Sequence, residues 1–111
     1  MANTFKNNVL KAAGTTAQNI YAAAVGTQST VIGMTIANIT NSPISANIFL
    51  TVSGAASPNV YLVQNATIAP GGALVPVGGD QKLVLRAGDY LQVNTSVASS
   101  ADVILSVLEI T

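Results

Sequence analysis

The feature that most constrains this chain is a spacing of two between its large apolar residues. In Thr30 to Asn38, Ile32, Met34 and Ile36 alternate with small or polar residues. Ile44, Ala46, Ile48, Leu50 and Val52 repeat the pattern, with Ser45, Asn47, Phe49, Thr51 and Ser53 between them. Val60, Leu62 and Ile68 follow, then Leu83 and Leu85, then Leu91 and Val93. The end reads Val103, Leu105, Val107, Glu109 against Ile104, Ser106, Leu108, Ile110. Alternation of this kind places one set of side chains on one face of a pleated strand. The last run is apolar on both faces, which predicts a central strand or a subunit contact.

Turn-forming clusters punctuate these runs: Asn41-Ser42-Pro43, Gly54 to Asn59, Pro70-Gly71-Gly72, Gly78-Gly79-Asp80, Ala87-Gly88-Asp89 and Ser96 to Ala101. Asn41-Ser42-Pro43, between two alternating runs, reads as a hairpin. Strands are expected near 18–24, 30–39, 44–53, 59–66, 72–77, 82–86, 90–95 and 102–110. Residues 8–13 fit either a helical turn or an edge strand. About eight short antiparallel strands in 111 residues predict an all-β, single-domain, two-sheet β-sandwich of jelly-roll type, with a small closed barrel as the alternative. Residues 1–13 form an N-terminal arm or edge strand, and 14–111 the sandwich.

Composition narrows the chemistry. Only 7% of the residues are charged, against roughly 25% in ordinary soluble domains. Lys6, Lys11, Lys82 and Arg86 balance Asp80, Asp89, Asp102 and Glu109. There is no His, Cys or Trp, which removes imidazole catalysis, thiolate metal sites and disulfides. Four basic side chains and a net charge of zero argue against a nucleic-acid partner. No apolar stretch approaches the ~20 residues of a spanning helix, and eight tilted strands barely fit the length, so no membrane partner is expected. The N-terminus has no apolar h-region, so synthesis in the cytoplasm without a signal peptide is expected. The polar complement is neutral: 11 Thr, 9 Ser and 10 Asn.

Candidate reactive groups are weak. No Ser lies in a G-x-S-x-G or S-x-x-K setting, so no enzyme is expected. Asp80 and Asp89 follow glycines and read as turn residues rather than cation ligands. The acids are too dispersed for a calcium site, and no cofactor is implied. Gly71-Gly72 and Gly78-Gly79 lack a phosphate-loop continuation. The sequons at Asn38, Asn65 and Asn94 arise readily in a chain this rich in Asn and Thr. Tyr21, Tyr61 and Tyr90 default to packing, with a glycan-stacking platform as the alternative.

Several segments together resemble a known family. They are Met1 to Asn7, Gly14 to Ala17 with the Tyr21 strand, Thr30 to Asn38 and Tyr61 to Ala66. Pro70-Gly71-Gly72, Gly79 to Leu83, Ala87-Gly88-Asp89 and Ala101 to Thr111 complete the set. The chain resembles small virion structural proteins of tailed bacteriophages, especially those of cyanobacteria and marine bacteria. The resemblance implies a non-enzymatic particle component: a head decoration or cement protein, or a neck, tail or fibre-attachment accessory. It carries over no functional residue.

A charge-poor strand protein guards its edges poorly, and neighbouring subunits are one remedy. The expected partners are therefore further copies of itself, as a trimer, and other virion proteins such as the major capsid or neck and tail proteins. The candidate assembly contacts are Phe5, Val9, Leu10, Ile104, Leu108 and Ile110.

Overall fold

In the computed structural model, residues 3–51, 59–78 and 82–111 are described. Among them the chain forms β1 (Asn3–Ala13), β2 (Gln18–Ala22), β3 (Gln28–Asn38), β4 (Ile44–Thr51) and β5 (Asn59–Ile68). Then follow β6 (Ala73–Val77), β7 (Leu83–Leu85), β8 (Tyr90–Thr95) and β9 (Ala101–Ile110). The alternation in the sequence therefore becomes strand throughout, with no helix among the described residues. Residues 8–13, for which a helical turn was an open alternative, belong to the eleven-residue β1. The turn segment Gly54 to Pro58, Gly79, Asp80 and Gln81 lie outside the described residues.

The strands make two antiparallel sheets. One has the order β1-β9-β3-β6, with β7 also paired to β3; the other has β2-β8-β4-β5. β6 pairs with Met34 to Ala37 of β3 and β7 with Ser29 to Val31, so they lie end to end along one edge. Nine strands thus fill eight positions, and the chain crosses between sheets at most connections. This strand order is that of a jelly roll.

The inner faces share one core. Val31, Met34 and Ile36 of β3 and Val103, Leu105 and Val107 of β9 meet Ile44, Ala46 and Ile48 of β4 and Leu91 and Val93 of β8. Each of these Val, Leu, Ile and Met side chains contributes about 1.5–3 kcal/mol by leaving water.

Two local readings need correction. Asn41-Ser42-Pro43 is not a hairpin: β3 and β4 lie in different sheets, so the segment carries the chain across the sandwich. Ile32 does not share a face with Met34 and Ile36. Val31 pairs with Val107 and Gly33 with Ser106, which leaves Ile32 as a bulge and gives the core position to Val31. An extra residue reverses the phase of alternation, which a reading of period alone cannot register.

Side-chain bonds tie the crossings down. Asn38 is 3% exposed, and its Nδ2 donates to the carbonyls of Ser42 and Ile68 at 2.8 and 3.0 Å. Its Oδ1 accepts from the Thr40 backbone N–H and hydroxyl at 2.9 and 2.8 Å. One amide therefore clamps the β3–β4 crossing onto the end of β5, and the first Asn of a sequon is a buried strut. Asp89 closes its own turn, with its Oδ2 accepting from Arg86 N at 3.0 Å and its N–H donating to Arg86 O at 2.9 Å. This is the turn role its place after Gly88 suggests.

A second cluster joins the two sheets at the opposite end. Tyr21 Oη bonds Ser29 Oγ at 2.7 Å and donates to Glu109 Oε2. Glu109 Oε1 also lies 3.5 Å from Lys6 Nζ. β1, β2, β3 and β9 thereby meet in one polar chain. Burial, and then the bond to the Glu109 carboxylate, raise the Tyr21 phenol above its ordinary 10.0, while the Ser29 bond opposes the shift.

Two outcomes follow. Asn38→Ala takes the amide donor from the buried Ile68 carbonyl and the acceptor from the Thr40 N–H, while Ser42 O keeps the Thr40 hydroxyl, so chemical denaturation should report a loss of about 1–3 kcal/mol. The folded state holds the Tyr21 proton more tightly than the unfolded chain. Its contribution is complete below pH 10 and is lost as pH rises through the higher folded value. Tyr21→Phe should cost about 1–3 kcal/mol at neutral pH, because Ser29 Oγ loses a buried partner. It should also flatten the decline in thermal stability above pH 10. Parallel declines in the two proteins would assign that decline to other groups.

Candidate assembly surface

The outer face of the β1-β9-β3 sheet collects most of the exposed apolar side chains contributed by the chain ends. Strand register sets its rows. Phe5 stands beside Leu108, which stands beside Thr30; Val9 stands beside Ile104, which stands beside Thr35. Asn3, Ile110 and Gln28 form a third row. Phe5 is 74% exposed, Val9 69% and Ile104 45%, too open for core residues. Leu108 and Ile110 are half-buried.

Leu10 stands apart from the other five candidates. It follows Val9 in an extended strand, so it points to the opposite face, where it packs against the core. Two further residues extend the apolar surface without having been singled out in the sequence: Val84 (62% exposed), beside Thr30, and Val75 (60%) on β6. Their strands have only three and five residues, too short for a clear alternation.

Between its ends this face carries no charged side chain on β1, β9 or β3. Its odd β1 positions are Asn3, Phe5, Asn7 and Val9, and its β9 positions are Ile104, Ser106, Leu108 and Ile110. The Lys11–Asp102 pair marks one end, at 3.9 Å and largely solvated. Its energetic weight is small. Its placement is more informative, because Asp102 Oδ1 also accepts the Ala12 N–H at 2.9 Å. That bond holds Ala12 in a left-handed conformation (φ 56°), where β1 shifts register before Ala13.

A shallow groove of about 320 Å³ opens at this end, among Val9, Thr35, Ala37 and Ile104 of the outer face, with Lys11 and Asp102 beside them. A second depression lies between Phe5, Asn7, Ile32 and Ser106, so the bulged Ile32 belongs to the outer face. Both are mainly apolar, bordered by Lys11 and Asp102 in the first and by Lys6 in the second. They offer shape and desolvation to a partner.

The tyrosines do not share this surface. Tyr21 is buried in the Glu109 cluster, and Tyr61 packs on Phe49 with ring centroids 5.3 Å apart. Among the described residues no group of three or more acidic, His or Cys side chains is placed to hold a metal ion.

No protein-family model and no curated protein matches the chain. Its likeness to solved structures lies in the fold. A chain from the structure "Bacillus endospore appendages form a novel family of disulfide-linked pili" superposes with a TM-score of 0.59 and 15% identity. That match covers 99% of this chain and 87% of the other. A chain from "Acidic stable capsid structure of Helicobacter pylori bacteriophage KHP30" gives a TM-score of 0.53 and 10% identity, over 100% and 89%. The superpositions run the full length of this chain, so the similarity is to the jelly roll as a whole and not to one hairpin.

Proposed function

We propose that the protein is a non-enzymatic structural component of a bacteriophage virion, a decoration or cement protein that self-associates and docks on the capsid surface to stabilise it. The observation that carries this reading is the uncharged apolar outer face of the β1-β9-β3 sheet, with Phe5, Val9 and Val84 more than half exposed. A face of this kind is stable in water only at a cost that a neighbouring protein removes. The resemblance of the chain to small virion proteins of tailed phages, and a fold shared with a chain of a phage capsid structure, support the same setting.

A pilus subunit is the reading favoured by the other structural neighbour. That pilus is described as disulfide-linked, and these 111 residues contain no cysteine, so cross-links of that kind lie outside their chemistry. Within the virion the alternative is a neck, tail or fibre-attachment adaptor, which the same face would serve equally.

Quantitative mass spectrometry of washed virions tests both readings. On the order of hundreds of copies per particle are expected for a capsid decoration, against about six or twelve for a ring at the neck or tail. Absence of the protein from washed particles would overturn the virion assignment.

A further inference from the structure

The β1-β9-β3 sheet ends in β1, whose outer edge has no strand beside it among the described residues. A free edge offers a row of unpaired N–H and C=O groups to any other strand. The other edges of the sandwich carry features that resist such pairing. β2 has five residues and a register shift between Asn19 and Tyr21. β5 has two register shifts against β4 and holds Asn65 in a left-handed conformation (φ 54°). The remaining edge is divided between β6, which contains Pro76, and the three-residue β7.

β1 has none of these features before Leu10. Its register against β9 runs without a break from Asn3 to Leu10, and it contains neither Pro nor Gly. Its inward-pointing Lys6 is already paired with Glu109 of the same subunit.

We propose that β1 is a self-pairing edge, which binds β1 of a second copy antiparallel about a twofold axis at Asn7. A twofold normal to the sheet keeps outer face beside outer face, so it passes through a residue position and not between two. The position is then chosen by side chains. With the axis at Lys6, two lysines stand opposite one another, and Phe5 faces Asn7. With the axis at Asn8, Phe5 faces Lys11 and Lys6 faces Leu10.

With the axis at Asn7, Phe5 faces Val9 twice over, Asn7 faces Asn7, Lys6 faces Asn8 and Thr4 faces Leu10. Aromatic against β-branched is a favourable cross-strand pair, and no like charges meet. The same register delivers Phe5 of the partner subunit to Val9, a wall of the apolar groove beside Ile104. The contact therefore satisfies the edge and gives Phe5 and Val9 cross-strand partners, while the two outer faces join into one wider apolar surface. This inference names the self-association assumed by the virion reading and rests on that reading only for its setting.

The absence of cysteine makes the test clean. Opposed Cα atoms in an antiparallel pair lie about 4.5–5.5 Å apart, within disulfide range. Asn7→Cys should therefore be recovered largely as a covalent dimer without reductant. Asn3→Cys, whose two copies would sit roughly 26 Å apart along the strands, should not. The unmodified protein should have the mass of a dimer by light scattering. Phe5→Glu should raise the dimer dissociation constant by about tenfold or more while leaving thermal unfolding near that of the parent.

A monomer at all concentrations, equal cross-linking of the two cysteine variants, or a trimer indifferent to Phe5→Glu would each overturn the pairing. The trimer would leave the virion role standing. A dimer that cross-links as expected but is absent from washed virions would remove that role and keep the edge contact.

Discussion

β9 satisfies the backbone of two strands at once. Its one edge pairs with β1 from Asn3 to Ala13, and its other with β3 from Gln28 to Asn38. Meanwhile Val103, Leu105 and Val107 point into the core at 0–2% exposure. The first strand of the described chain is held by the last, and the longest strand pairs of the sheet span most of the sequence. Such contacts form only after a long stretch of chain has been closed into a loop. Folding of this protein should accordingly be slow for its size, because few of its pairings are local. Among the described strands only β4 and β5 are consecutive in sequence and hydrogen-bonded to each other.

That non-local architecture is held at its corners by neutral polar groups. Asn38 bridges β3, the crossing loop and β5. Thr95 and Ser100 share a 2.7 Å bond beneath the β8–β9 connection, where Ser100 is fully buried. Among the described residues no buried side-chain nitrogen or oxygen lacks a partner. Amides and hydroxyls suit this work because they can be desolvated for far less than a charge, provided each finds a partner. The many Asn, Ser and Thr residues therefore do two jobs: some supply the wet surface, and some are interior braces. Two carboxylates are also drawn inward: Glu109, held by Tyr21 and Lys6 together, and Asp89, 4% exposed and bonded to Arg86 N–H.

Strands were legible wherever alternation ran unbroken. Ile44 to Thr51, Tyr90 to Thr95 and Ala101 to Ile110 follow the period of two closely, and the doubly apolar β9 is central, as its composition implied. What the period does not contain is the partner. Asn41-Ser42-Pro43 has the chemistry of a hairpin turn, yet it bridges the two sheets, because the choice is made by which faces must be buried together. The bulge at Ile32 is equally invisible, since it exists only relative to β9. On the outer face, Phe5, Val9, Ile104, Leu108 and Ile110 were readable by parity within two strands. The same parity separates Leu10 from Val9 and turns it toward the core, so grouping the two as contacts of one surface is an error.

The low charge of the chain takes on a different meaning in this architecture. A surface rich in Lys and Glu is well solvated, and covering it requires several kcal/mol per buried ion unless each is matched. A surface of Phe, Val, Ile, Thr and Asn is less well protected in water and correspondingly cheap to cover. Here the charges are displaced from the centre of the β1-β9-β3 face: Lys6 and Glu109 turn inward, and Lys11 and Asp102 sit at the rim. The edge that borders this face is also the one without bulge, proline or glycine over its first eight residues. Edge and face are separate liabilities in an isolated subunit. Because register fixes Phe5 and Val9 on both, a strand-to-strand contact at the edge also pairs these two side chains, and it joins two outer faces into one wider surface for a partner to cover.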